Sequence, residues 1–187
     1  IACLILLLSI HTIAQCVGLV GNGYKLKTIV LDAGHGGHDS GCHGPSGSYE
    51  KDVTLEVILR LGKYIEEKYP DIKVLYSRKT DVFITLQDRA LLANKNNADL
   101  FLSVHCNAND NKSAYGTETF LMGLHVSQAN LDVAKRENDV IKLEKDYEKT
   151  YGDFDPDSPE SIIAITMQQS ANIEQSSYIA TKVQENL

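Results

Sequence analysis

The sequence predicts an α/β protein: a mostly parallel central sheet flanked by helices, in a single domain. Two observations carry this. Short β-branched and apolar runs alternate with stretches whose apolar residues fall at helical spacing. The first run ends at a Gly-flanked histidine, Gly34-His-Gly-Gly37. An α/β protein presents a reactive side chain in this way, at the carboxyl end of a strand.

Lys27–Asp32 is the first strand. Residues 33–49 follow as a long loop with six glycines and one proline, and a loop of that length inside a compact domain is usually functional. Asp52 to about Tyr69 is a helix, because Val53, Leu55, Val57, Ile58, Leu61 and Ile65 form a broad apolar face. Asp52 can cap it, and Pro70 lies just beyond its end. Lys73–Ser77 is the second strand, and Arg78-Lys-Thr-Asp81 is a loop. Thr85 with Asp88 resembles a capping box that opens a helix through Leu86, Ala90, Leu91 and Ala93. Leu100–His105 is the third strand, with Asn107 and Asn109 in the turn behind it, and Thr117–Leu121 alternates as a fourth.

After Gly123 the character changes. Residues 126–150 mix Lys and Glu over a helical stretch, and Tyr151 to Pro159 is an acidic break. Ser158-Pro159 reads as a helix start, with Ile162, Ile163, Ile165 and Met167 behind it. Residues 171–187 are helix-compatible, and no stop signal precedes Leu187, so the domain reads as truncated at its C-terminus.

Ile1 to Ile10 is almost wholly apolar but too short to span a bilayer, which takes about 20 residues. It fits the core of a secretory signal, so residues 1–15 read as a signal remnant and 16–26 as a Gly-containing linker. The expected location is the periplasm or cell envelope. Cys16 follows the signal directly and is a candidate weak lipid anchor, although Ile13-Ala-Gln15 matches a lipoprotein box poorly. Cys3 falls within the signal. A disulfide between Cys42 and Cys106 suits an oxidising compartment but is not implied by spacing. The net charge of -7 argues against a nucleic-acid partner, which usually needs a basic face.

His35 follows the first strand and His105 ends the third. In a parallel sheet both strand ends open on one edge, and Glu50, closing the long loop, can reach that edge. Zinc hydrolases commonly use three ligands from His and carboxylate and keep one position open. His35, Glu50 and His105 are therefore candidate ligands. His38 and His43 are rivals in the same loop, whereas His11 and His125 read as bystanders. The bland alternatives are a histidine in a Gly-rich turn and a hydrogen-bonded strand-end histidine. Asp32 is a candidate to orient a ligand imidazole or to cap loop amides, and Asn107 to bond substrate or a ligand. Arg78 and Arg89 read as internal ion-pair partners. The Gly-rich loop lacks the spacing of a phosphate cradle.

Ile29-Val-Leu-Asp-Ala-Gly-His-Gly-Gly37, Tyr49-Glu-Lys-Asp-Val-Thr-Leu55, Ser77-Arg-Lys-Thr-Asp81, Leu86-Gln-Asp-Arg89, Ala93-Asn94, Ala98-Asp-Leu-Phe-Leu-Ser-Val-His-Cys-Asn-Ala108 and Gly116-Thr-Glu-Thr-Phe120 occur in order. Together they resemble the zinc-dependent N-acetylmuramoyl-L-alanine amidases, the amidase_3 family of bacterial cell-wall hydrolases. The resemblance is dense over residues 27–123. It implies one Zn2+ held by His35, Glu50 and His105, and peptidoglycan as substrate, cut between the lactyl group of N-acetylmuramic acid and L-alanine. It also implies a general-base glutamate in a Glu-x-Gly-Phe-like segment. No such segment occurs here, Glu174 and Glu185 do not match it, and the base is expected beyond Leu187. Residues 27–187 then read as an incomplete catalytic domain. Residues of about 126–170 resemble the covering insertion of division-associated members, which an activator protein displaces. Glu137 is the first candidate for its zinc-blocking acid, ahead of Glu144 and Glu160. The competing readings are a zinc peptidase cutting the stem peptide and a catalytically silent muropeptide-binding module.

Overall fold

The computed structural model describes residues 25–108, 113, 115–121, 133, 135–145, 149–150 and 173–187. The signal remnant with Cys3 and His11, most of the linker including Cys16, His125, Glu160 and the helix expected after Ser158 lie outside these residues. The chain falls into two compact units that divide between Thr117 and Glu118.

The first unit is built on a three-stranded parallel sheet in the order β2-β1-β3. Strand β1 is Thr28–Ala33, and Ile29 to Ala33 are all buried in it. That uninterrupted burial explains why its sequence runs apolar without alternation, as a central parallel strand must. Strand β2, Lys73–Tyr76, pairs with it from Thr28 opposite Lys73 to Leu31 opposite Tyr76. Strand β3, Leu100–Val104, pairs from Ile29 opposite Leu100 to Ala33 opposite Val104. Asp99 pins this register at the start of the strands, since its Oδ2 accepts from the amides of Lys27 at 2.7 Å and Thr28 at 2.8 Å.

Helix α1, Glu50–Lys68, packs on the sheet through Thr54, Ile58, Leu61, Gly62 and Ile65. The spacing is helical, and Val53, Leu55 and Val57, expected on the same face, flank it half-buried. Leu31 and Ile58 are fully buried, and each such side chain contributes about 1.5–3 kcal/mol by leaving water. The helix begins two residues earlier than the pattern predicts. Tyr49 is the N-cap and makes no side-chain capping bond, and Asp52 lies inside the first turn instead of capping it. The exposed amides find loop carbonyls: Glu50 N donates to Cys42 O at 2.9 Å and Lys51 N to Ser40 O at 3.2 Å. The Gly-rich loop is thereby tied to the start of α1.

Helix α2, Leu86–Lys95, is capped as expected, with Thr85 Oγ1 accepting from the Asp88 amide at 3.0 Å. Residues 117–121 are irregular, so the fourth strand expected there is absent. Alternation supplies a face for a strand, but a strand also requires a ladder partner.

In the second unit Asp139–Leu143 forms a short 3-10 helix around the buried Ile141, and Ile173–Gln184 forms α3 with Val183 buried. Thr119 Oγ1 donates to Gln184 Oε1 at 3.0 Å within this unit. No described helix is long and apolar enough to cross a membrane.

Candidate metal centre

Three ligand-type atoms meet just beyond the carboxyl ends of β1 and β3. His35 Nε2 stands 3.1 Å from Glu50 Oε1, His105 Nδ1 stands 3.3 Å from the same oxygen, and the two ring nitrogens are 3.2 Å apart. The sheet accounts for the two histidines. Ala33 pairs with Val104, so the chain leaves both strands side by side, and Gly34 N donates to Val104 O at 3.1 Å. Residue 34 has no room for a side chain, because a Cβ there would lie 2.5 Å from His105 Cε1. His35 has a left-handed backbone, φ 61°, which turns its imidazole back over the sheet edge. For a non-glycine residue that conformation costs about 1–2 kcal/mol.

Glu50 is the first residue of α1, 3% exposed, and both its oxygens are gripped by backbone amides. Cys42 N donates to Oε2 at 2.9 Å and Cys106 N to Oε1 at 2.6 Å. Burial alone would push its carboxyl up. Hydrogen bonds from His105, His35 and the Cys42 amide outweigh that and hold it well below the usual carboxylate range. No disulfide joins Cys42 to Cys106.

His35 Nδ1 donates to Asp39 Oδ2 at 2.8 Å. The bond fixes the ring's orientation, and its Nε2 faces Glu50 and His105. Sequence reasoning missed Asp39. Its only signal was a carboxylate four residues past a histidine in a turn-rich loop. The carboxylate that meets the His35 ring is that of Asp39, whereas Asp32, expected either to orient an imidazole or to cap loop amides, bonds to Arg89 and Ser103. Asp32 Oδ1 accepts from Arg89 Nη1 at 2.5 Å and Oδ2 from Ser103 Oγ at 2.7 Å, which places the carboxylate on the sheet. Arg89 is thus the ion-pair partner expected, and it also donates to the carbonyls of Ala33 at 2.7 Å and His35 at 2.8 Å. Arg78 differs from expectation, because its closest bonds go to backbone carbonyls rather than to an acid.

The rival histidines are engaged elsewhere. His38 stacks on Phe83 with ring centroids 4.1 Å apart, and His43 meets Ser40 Oγ at 3.2 Å and the edge of Tyr49. Asn107 is half-buried two residues past His105. Glu137 belongs to the second unit, half-buried in the helical residues 135–138, and Glu144 is buried behind the 3-10 helix.

The geometry tests directly whether an ion fits. Two ligand atoms each about 2.0–2.1 Å from a tetrahedral zinc stand about 3.3 Å apart. The triangle of His35 Nε2, Glu50 Oε1 and His105 Nδ1 has sides of 3.1, 3.2 and 3.3 Å. Two imidazoles and a carboxylate are also a zinc-type donor set. The residues therefore fit such an ion, with a fourth position left for other groups.

Known proteins share this stretch. Over 94 residues, half of this chain, it is 44% identical to the N-acetylmuramoyl-L-alanine amidase AmiC of Escherichia coli, of which the match covers 22%. Over 95 residues it is 40% identical to the endolysin of Bacillus phage SPP1, covering 34% of that protein. The chain thus spans about a fifth to a third of the length of these relatives. Among solved structures, an N-acetylmuramoyl-L-alanine amidase from Clostridium difficile 630 superposes with a TM-score of 0.50 at 26% identity, over 86% of this chain and 94% of that one. The catalytic domain of the CwlV amidase of Bacillus (Paenibacillus) polymyxa var. colistinus shares the fold, with a TM-score of 0.51 at 23% identity, over 86% of this chain and 96% of that one. The family model for N-acetylmuramoyl-L-alanine amidases matches residues 29–187, and the chain belongs to that family, Amidase_3.

Proposed function

We propose that the chain carries the zinc site of an exported peptidoglycan amidase. The bond cut is the amide between the lactyl group of N-acetylmuramic acid and L-alanine of the stem peptide. The observation that carries this is the triangle of His35 Nε2, Glu50 Oε1 and His105 Nδ1, in a chain of the amidase family. When bound, zinc polarises a scissile carbonyl and lowers the pKa of water to about 7.

The chain's own residues prepare that chemistry. Asp39 holds the Nδ1 proton of His35, which keeps the Nε2 lone pair facing inward. The amides of Cys42 and Cys106 grip both oxygens of Glu50 and fix its plane. The three donors leave one position of a tetrahedral ion to water or substrate, and Asn107, two residues past His105, is the candidate to bond substrate there. The general base belongs to a Glu-x-Gly-Phe-like segment, a motif not present in this sequence.

The remaining assignments belong to the same reading. Residues 1–15 serve export to the periplasm or envelope, 16–26 are a linker with Cys16 as a weak anchor, and 27–187 belong to the catalytic domain. Residues of about 126–170 form a regulatory insertion in which Glu137 blocks the zinc until a protein activator displaces it. Glu137→Ala in the full-length protein then raises basal lysis, and unchanged lysis counts against Glu137.

Metal analysis of this chain tests the ligand set: one zinc per chain, lost in His35→Ala and His105→Ala. A folded wild type without zinc rejects it. Product analysis of digested peptidoglycan by the full-length protein tests the reaction. Free lactyl ends with intact stem peptides support the amidase, cut stem peptides identify a peptidase, and binding without turnover identifies a muropeptide-binding module.

A further inference from the structure

The three donor atoms close into a triangle only if the turn carrying His35 and the helix start carrying Glu50 are held at one separation. Arg78, in the loop after β2, lies between them and is 3% exposed. Its Nη2 donates to Gly34 O at 2.8 Å and to Lys51 O at 2.7 Å. Gly34 precedes His35, and Lys51 follows Glu50. One guanidinium nitrogen therefore ties the chain neighbour of one donor residue to the chain neighbour of the other. The same nitrogen reaches Thr54 Oγ1 at 3.2 Å, while Nε donates to Ala33 O at 3.0 Å. Thr54 Oγ1 in turn donates to Gly34 O at 2.9 Å, a second link between the same two elements.

A buried cation is an expensive filler. An apolar side chain would occupy the space without the desolvation cost. The guanidinium offers a rigid planar fork of donors, which a lysine ammonium cannot reproduce. Its closest partners are main-chain carbonyls whose positions fix where the two donor side chains begin.

We infer that Arg78 is a positioning residue for the metal centre, setting the distance between His35 and Glu50 and hence the affinity and geometry with which the trio holds an ion. This rests on the reading of His35, Glu50 and His105 as metal ligands.

The experiment uses the full chain and reads zinc affinity by chelator competition, together with the visible absorption bands of the Co2+-loaded protein. Arg78→Lys keeps the charge and loses the fork. Zinc affinity is expected to fall about tenfold or more, in the range of lost supporting contacts at metal sites, and the Co2+ bands shift. Ile58→Val serves as a core control of lowered thermal stability and keeps both readouts at wild-type values. Thr54→Val, which removes the second link, weakens zinc binding, and Thr54→Ser restores it; this pair decides the matter if Arg78→Lys does not fold. Wild-type affinity and bands in Arg78→Lys overturn the inference, as does a parallel loss in Ile58→Val. A folded wild type that binds no zinc overturns the ligand reading itself, a result distinct from the other two.

Discussion

Asp39 Oδ2 accepts a 2.8 Å hydrogen bond from Nδ1 of His35, four residues earlier in the same loop. Burial acts to raise the Asp39 carboxyl, but the bond and charge of His35 and the Gly41 amide pull it below its ordinary value. An ionised acceptor at this position makes Nδ1 the donor and fixes the ring orientation. Asp39→Ala is expected to weaken zinc binding about 10–100-fold with the fold retained, and Asp39→Asn, which keeps an oxygen acceptor, less. Zinc titration beside far-ultraviolet circular dichroism checks this, and an unchanged affinity in Asp39→Ala would remove Asp39 from the site.

Gly34 gives a sharper steric test. A methyl group at this position falls 2.5–2.7 Å from three atoms of the His105 ring, so the imidazole must move. The expected outcome for Gly34→Ala is a chain that still forms its sheet but loses most of its zinc. Metal content and Tm measured together separate that result from general unfolding.

Helix α1 makes a prediction against simple propensity. Alanine is worth about 1 kcal/mol more than glycine inside a helix. At Gly62, however, a Cβ would lie 2.0 Å from the Tyr76 hydroxyl and 2.4 Å from its ring, because β2 packs there. Gly62→Ala is expected to lower Tm, and a rise in Tm would show that Tyr76 can step aside.

Tyr76 also titrates abnormally. Burial first, then the 3.1 Å bond to Glu66 and its negative charge, push the phenol up to about 12. The folded state thus keeps a proton that the unfolded chain releases near pH 10. Its contribution is complete below about pH 10 and is lost as pH rises towards about 12. Tyr76→Phe should flatten that part of the alkaline stability profile. Denaturant titrations between these limits decide it, and identical slopes in both proteins would contradict the assignment.

The sheet was legible because hydrophobic runs report burial on both faces, and β1 is buried from Ile29 to Ala33. The meeting of His35, Glu50 and His105 was legible for a topological reason, since parallel strands deliver their ends to one edge. The supporting contacts were not. Asp32 and Asp39 are equally good carboxylates near His35 in sequence. Only the pairing of β1 with β3, which sets Asp32 opposite Ser103, commits one to the sheet and frees the other for the ring. Arg78 was read as an ion-pair partner because sequence shows charges but not where main-chain carbonyls will gather. Thr117–Leu121 alternates like a strand, yet alternation says nothing about who will pair with it.

The backbone of His35 has one consequence for engineering. At φ 61° it occupies a conformation that glycine adopts without penalty. His35→Gly should therefore melt higher than His35→Ala in zinc-free buffer, although neither retains the metal site. Thermal stability and the proposed metal binding thus make opposite demands on the backbone of this residue. The imidazole sits on a backbone that glycine would adopt at lower cost, so its worth at this position has to come from what the ring itself touches, Asp39, Glu50 and His105.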